Sequence, residues 1–497
     1  VNAPAATTPA QNEIQLVLLI SLLAAIHVFV FTAAFPFFNS VDEQLHFDLA
    51  VRYSQGQIPR ALEPLSPESI RYIVLFSSHA FLADPASLPG GQLPPPLWTQ
   101  PAEIILPLLK EHVAQWQTVV STESSSPPIY YAAAGAWWDA GKLIGLANER
   151  LLYWLRFLNI LVVIAIVWLG WLTAKKIFPE NIFGRIAVPA LIAFMPQTAF
   201  YSINNDILTP LMFGAAFLLM LNFWDTDVPK IPLAAGLGLA LAATFLVKIS
   251  TLPLLAVSAG FIALKLLHLT RAGKIKAGCP ALVTLSICTV LPIAMWMLWC
   301  KLNFGDFTGS AVKIQKLGWT DRPIQEWLQH PLFTPQGLWI FIRDNLATFW
   351  QGEFWWLRRP LAIPALDLFY VGLTLTLLVL ALVAWRQRPA GSRAARGFAC
   401  ACLAALFAFF ALLSVKYDFQ DCFYPSRAHP YFTSGRLFLG ALIPVMILLV
   451  SGLDFALQKC SPKTKFIALA ALLLCLLAGE TAVDWRVFSC AYNWYHL

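Results

Sequence analysis

The chain has 497 residues, 58% of them hydrophobic and 12% charged, with a formal net charge of +7. Soluble domains carry about 25% charged residues, so the composition excludes a soluble globular protein and indicates an integral membrane protein. The basic excess makes no case for nucleic acid, because Lys and Arg fall mostly in short connections between apolar runs, the pattern of membrane topology.

A membrane-spanning helix needs about 20 largely apolar residues. Residues 1–13 are polar and lack a basic n-region, and the apolar run 14–35 is too long for a signal sequence and has no cleavage pattern. It therefore reads as a retained first span behind a cytoplasmic tail. Further spans are expected at 151–173, 186–201, 207–224, 231–247, 252–267, 281–302, 363–385, 398–415, 437–456 and 466–483. The run 127–145 is interrupted by Trp137, Trp138 and Asp139 and carries Lys142, so it reads as an interfacial amphipathic helix. On that reading Lys175, Lys176 and Arg185, then Arg271, Lys274 and Lys276, then Arg386, Arg388, Arg393 and Arg396, then Lys459, Lys463 and Lys465 all fall on one side. The positive-inside rule makes that side cytoplasmic; a span at 127–145 would invert every later cluster.

The expected architecture is an all-α polytopic protein with about 11 transmembrane helices. Residues 36–150 form a large first external loop carrying juxtamembrane helices, and 151–302 hold spans 2–7. A second external segment covers 303–362, spans 8–11 lie in 363–483, and 484–497 form an external tail. Both external segments mix Pro, Trp and charge, as a folded cap over a membrane site does. Nine cysteines occur with no CxxC pair, which suits small buried hydrophobes. Cys422 and Cys490, in non-cytoplasmic segments, are able to pair in an oxidising compartment.

The first loop opens with Asn39-Ser40-Val41-Asp42-Glu43-Gln44-Leu45-His46. If this stretch is helical, Asp42, Glu43 and His46 share one side, and Ser40 or Asn39 caps it. A carboxylate there can serve as general base on a hydroxyl, with His46 orienting it or binding a metal; the plainer alternative is a solvated first helical turn. Arg156 lies inside the outer third of the second span, where an ionisable residue faces a cavity or a polar partner. Asn204, Asn205 and Asp206 sit between spans 3 and 4, either at a site or as a helix cap. Lys248 stands among apolar residues at the mouth of span 5, snorkelling or paired with an anion such as a lipid phosphate. Trp350, Glu353 and Trp355 lie in an aromatic stretch suited to a sugar, a prenyl chain or an interfacial belt. Arg436 can clamp a phosphate. Tyr130 follows Pro127-Pro128 at a helix start. Asp225-Thr226-Asp227 has the DxD pattern of nucleotide-sugar enzymes, but falls in a short cytoplasmic turn. No P-loop or HExxH pattern occurs.

Taken in order, Asp42-Glu43 with His46, Pro127-Pro128-Ile129-Tyr130-Tyr131, Arg156, Asn204-Asn205-Asp206, Lys248, Phe349 to Trp355 and Gly435-Arg436 resemble the GT-C superfamily of polyprenyl-phosphate-sugar glycosyltransferases. Protein O-mannosyltransferases and lipid A aminoarabinose transferases belong to it. The layout is most similar to a group of uncharacterised bacterial multi-spanning proteins. Leu437 stands where that group often has Tyr. The resemblance implies a GT-C fold and inverting transfer from an undecaprenyl-phosphate type donor to a glycan, lipid or protein acceptor. It places the reaction at the outer face of a bacterial inner membrane, in cell-envelope glycan synthesis or modification. It makes Asp42 the base with Glu43 and His46 beside it, and puts the donor phosphate on Lys248, Arg436 and Arg156. Tyr130, Asn204, Asn205, Asp206, Trp350, Glu353 and Trp355 are then substrate-binding. Some members use a divalent metal, Mg or Mn, for which Asp42 and His46 are the available ligands. A lipid-linked glycan transporter, and a polymerase or ligase using a lipid-diphosphate donor, remain alternatives. The first predicts charges at mid-depth in several spans, where few are found.

Overall fold

The computed structural model describes residues 9–78, 83–385, 390–422 and 424–496; the 1–8 part of the N-terminal tail, Arg386 and Arg388 lie outside them. The protein is an all-α polytopic membrane protein. Helix α1 (Pro9–Ala34) is apolar, and α2 (Glu43–Ser54), α3 (Pro67–Phe76), α4 (Ala102–Trp116) and α5 (Pro128–Leu143) build the segment 36–150. Six helices follow: α6 (Asn148–Ile177), α7 (Ile182–Ala193), α8 (Thr209–Asp225), α9 (Ile231–Val247), α10 (Leu252–Arg271) and α11 (Ile275–Phe304). Then α12 (Ser310–Lys316) and α13 (Pro335–Gln351) precede α14 (Pro364–Trp385), α15 (Ala390–Lys416), α16 (Leu442–Ala456) and α17 (Pro462–Phe488).

Among the described residues nine helices are long and apolar enough to cross a membrane, and α7 and α9 are shorter apolar helices. Every apolar run expected as a span contains an apolar helix, whereas α5 is not among these helices. Burial sorts them: 89% of the apolar window of α16 is buried against 17% for α11. Helix α16 is therefore the centre, packed by α14, α15, α7 and α8, while α11 turns Leu291, Met295 and Leu298 outward. Helix α1 starts at Pro9, earlier than expected. Glu13 is buried there, accepting from Trp171 Nε1 at 2.8 Å and pairing with Arg185 at 3.1 Å, partners from distant positions that compensate its burial.

Helix α7 departs most from expectation. It has 12 residues, about 18 Å of helix, and ends at Ala193 rather than near Tyr201. Pro196 follows, and a residue before proline avoids the helical region. Irregular backbone then runs to the start of α8, almost wholly buried, as a membrane protein permits only inside protein or beside a cavity. Side chains hold it: Asn159 Nδ2 donates to the carbonyls of Phe200 (3.1 Å) and Ser202 (2.8 Å). Below it His27 of α1 meets Glu480 of α17 at 2.6 Å, and Tyr201 donates to Glu480. These polar groups inside the bundle have mutual partners, which makes them ties between α1, α17 and the broken stretch.

The basic end of the bundle is likewise tied. Lys176 pairs with Asp225 at 2.6 Å and Lys274 with Asp227, so the DxD-like stretch is occupied by surface ion pairs. Cys422 and Cys490 are not bonded: the first lines a cavity, while the second is buried in the turn after α17 and accepts from Tyr492 N.

Candidate active site

At the end of the bundle that carries residues 36–150, a cavity of about 780 Å³ opens between the ends of the apolar helices and the connecting segments. Its walls include Asp42, His46, Glu123, Asn205, Lys248, Lys313, Glu353, Trp355 and Arg436.

Asp42 is the residue before α2, in left-handed backbone (φ 61°). Its carbonyl accepts from Leu45 N and His46 N while its side chain caps nothing, so the carboxylate is left for the cavity. Ser40 and Asn39 do not cap the helix. Ser40 bridges to Phe354 and Asn39 donates to Ser78 Oγ, because the chain reaches α2 through a turn with Phe38 also at positive φ (60°). A bulky residue there is strained. What compensates is Glu43: its carboxylate, 0% exposed, accepts from Phe38 N, Ile203 N and Arg156. Arg156 donates also to the carbonyls of Phe35 (2.5 Å) and Pro36 (2.8 Å). The two residues expected as base neighbour and phosphate ligand thus bind each other below the cavity. Both are absent from its walls, and Arg156, 1% exposed, has its donors directed at protein.

Arg436 is the hub. Its guanidinium is 3.7 Å from Asp42, 3.5 Å from Asp206 and 3.5 Å from Glu353. Asp206 also takes Lys248 at 2.5 Å, so the anionic partner that Lys248 requires is internal. Asp206 is 1% exposed, Glu353 12% and Asp42 39%; of Arg436's three carboxylates, Asp42 is the most open to a ligand. Arg436 is placed by close backbone approach: a Cβ on Gly435 would lie 2.0 Å from Phe349 N, and Thr348 Oγ1 accepts from Gly435 N at 2.8 Å. Gln197 donates to the carbonyls of Thr348 and Phe349, which joins the broken stretch after α7 to this strip.

Other expected residues divide. Asn205 is on the wall, its Nδ2 donating to Val247 O. Asn204 pins its own loop through Ala199 O and Ser202 Oγ. Tyr130 is buried beside them and Trp350 faces away, donating to Thr374 Oγ1 at 2.8 Å and stacking on Tyr370. Trp355 and Glu353 line the cavity. Glu123 and Lys313, which the sequence reading missed, form an ion pair on the wall. Burial pushes the Glu123 carboxyl up, but the Lys313 ammonium, which also hydrogen-bonds it, outweighs burial and holds it below the usual range. The only sequence signal for Glu123 was its place four residues before Pro127-Pro128; Lys313 had none.

His46 shares a 2.7 Å hydrogen bond through Nδ1 with Tyr131 Oη, and burial depresses its pKa, so the ring is neutral and fixed. Burial also lowers Lys248, with Asp206 opposing. Among the described residues no group of three His, Cys, Asp or Glu is placed to hold a metal ion. Asp42 and His46 stand amid Lys248 and Arg436, a setting that does not fit the oxygen-rich shell of Mg²⁺.

Burial raises Glu353 above its ordinary 4.5, with Arg436 and Ser434 opposing. A folded state that binds the proton more tightly is favoured below the unfolded value and loses that contribution as pH rises through the folded value. Stability relative to Glu353→Gln should therefore fall as pH rises above about 4.5. Thermal melts of both proteins across that range check this, and parallel curves contradict it.

The family described as "Predicted membrane protein (DUF2142)" has a sequence profile that matches residues 25–419. The chain belongs to this family. A search of curated proteins found no match. Among solved structures, the archaeal oligosaccharyltransferase AglB from Archaeoglobus fulgidus, in complex with an inhibitory peptide and a dolichol-phosphate, is similar at a TM-score of 0.40 and 10% identity. The alignment covers 95% of this DUF2142 chain, which spans 56% of the length of that one.

Proposed function

We propose that this DUF2142 protein is an inverting GT-C type glycosyltransferase. It moves a sugar from a polyprenyl-phosphate donor, of undecaprenyl-phosphate type, to a hydroxyl acceptor at the outer face of a bacterial inner membrane, in cell-envelope glycan synthesis or modification. The observation that carries this reading is Asp42, an accessible carboxylate beside Arg436 in a cavity whose walls also hold Lys248 and Lys313. A base and a set of phosphate-binding cations share one enclosure at the ends of apolar helices.

The Asp42 carboxylate takes the proton of the acceptor hydroxyl as its oxygen bonds to the anomeric carbon. The bond from that carbon to the phosphate oxygen breaks, the electron pair leaves with the lipid phosphate, and the configuration inverts. Lys248, Lys313 and Arg436 meet the negative charge that grows on the leaving phosphate, which lowers the barrier more than it aids ground-state binding. His46, fixed by Tyr131, orients the base.

Purified protein given undecaprenyl-phosphate-linked sugars and an envelope extract should release undecaprenyl phosphate, detected by mass spectrometry; no release from any such donor would defeat the reading. A lipid-diphosphate donor is the second reading, favoured by the presence of three cations on one wall. Its released lipid is undecaprenyl diphosphate, heavier by one phosphate, so the same spectrum separates the two. Lys248→Gln is expected to weaken undecaprenyl phosphate binding by about tenfold or more, the worth of one charge-assisted contact. Thermophoresis in nanodiscs measures it, and an unchanged Kd removes Lys248 from the phosphate site.

A further inference from the structure

We propose that the part of the cavity beyond Arg436 is a carbohydrate subsite, in which Asp344, Gln351, Tyr424, His429 and Thr433 hydrogen-bond the hydroxyls of a sugar ring lying near Trp355. All six residues line the cavity, and four of them touch one another. His429 Nε2 is 3.5 Å from Asp344 Oδ2 and 3.3 Å from Thr433 Oγ1. Tyr424 Oη is hydrogen-bonded to Thr433 Oγ1, and its ring stacks on His429 at 6.0 Å. Gln351 adds an amide to the same part of the lining. The strip 433–436 carries this group to the cationic wall: Ser434 donates to Glu353 at 2.8 Å and accepts from Arg436.

The chemistry of the two parts differs. One part concentrates the cations Lys248, Lys313 and Arg436, set among Asp42, Glu123 and Glu353, where an anion can be met. The other offers a carboxylate, two hydroxyls, an amide and an imidazole that burial keeps largely neutral. Arg343 holds Asp344 Oδ1 at 2.7 Å, and Oδ2 faces His429. A carboxylate repels a phosphate but accepts from hydroxyls, and mixed donors and acceptors match groups that do both. Trp355 supplies the apolar surface for the C–H face of a ring. The subsite rests on the glycosyl-transfer reading in that it puts this ring next to Asp42. The ring belongs either to the acceptor or to the donor's own sugar.

Saturation-transfer-difference NMR on the full chain in nanodiscs, with methyl glycosides of glucose, mannose and galactose as probes, tests it. At least one glycoside should give a signal in the wild type. Asp344→Ala and Tyr424→Phe should each weaken its binding about fivefold, the worth of one hydrogen bond, with the undecaprenyl phosphate Kd unchanged. Tyr424→Phe removes a single hydroxyl and keeps the test valid if Asp344→Ala misfolds. No glycoside signal in the wild type, or equal binding in both variants, overturns the subsite. Failure of the wild type to bind undecaprenyl phosphate while glycosides still bind overturns the donor reading instead. Displacement of the glycoside by undecaprenyl-phosphate-linked sugar, and not by undecaprenyl phosphate, assigns the ring to the donor; binding alongside both assigns it to the acceptor.

Discussion

Asp42→Asn is expected to lower sugar transfer by about 10²–10⁴-fold, the usual contribution of a positioned general base, with an unchanged melting temperature. The substitution is chosen for the backbone. Asp42 has φ 61°, a region that Asn enters as readily as Asp, so the turn into α2 survives and only the proton acceptor is lost. Asp42 is also the most exposed of the three carboxylates that contact Arg436, and Arg436 keeps Asp206 and Glu353 when it is neutralised. Lys248→Gln reads out on the lipid phosphate instead, so the two variants separate base from leaving-group support. Full transfer by Asp42→Asn would sink the mechanism, and a lower melting temperature would move Asp42 from chemistry to structure.

One residue further on, Glu43→Gln should behave in the opposite way. It leaves Arg156 buried without its counter-charge, and breaking a buried ion pair from one side costs about 3–5 kcal/mol. The exposed pair Lys142–Glu68, with side chains 40% and 32% exposed, is worth about 0–1 kcal/mol by comparison. Glu43 also takes the amides of Phe38 and Ile203, so its loss loosens both the strained approach to Asp42 and the loop that carries Asp206. Arg156→Met should destabilise similarly. The double variant Glu43→Gln with Arg156→Met should recover part of the loss, because no buried charge is then left unpaired. Melting of the detergent-solubilised protein measures all three, and single variants with wild-type melting temperatures would refute the assignment.

Adjacent acids with opposite fates show where sequence reading stops. Asp42 and Glu43 are indistinguishable by type and place, and a helical projection puts both beside His46. What separates them is the left-handed turn at Asp42 and the partner Arg156, 113 positions away. The same holds for Trp350 and Trp355: both sit in one aromatic stretch, but the last turn of α13 sends Trp350 against α14, and the short hairpin of 355–360 that follows leaves Trp355 on the cavity. Glu123 and Lys313 were missed because an ion pair between segments 190 residues apart leaves no local pattern.

The sequence by itself determined the membrane class, the apolar helices and the helix at 128–143 that does not join them, because span length and hydropathy are local quantities set by the bilayer. It also marked Asp42, His46, Lys248, Glu353 and Arg436, since charge beside long apolar runs is costly unless partnered. Only the tertiary structure decided which of those charges face a cavity and which satisfy one another. Burial and pairing depend on side chains that the chain brings together from far apart, through the broken helix after Ala193 and the tight contact of Gly435 on Phe349.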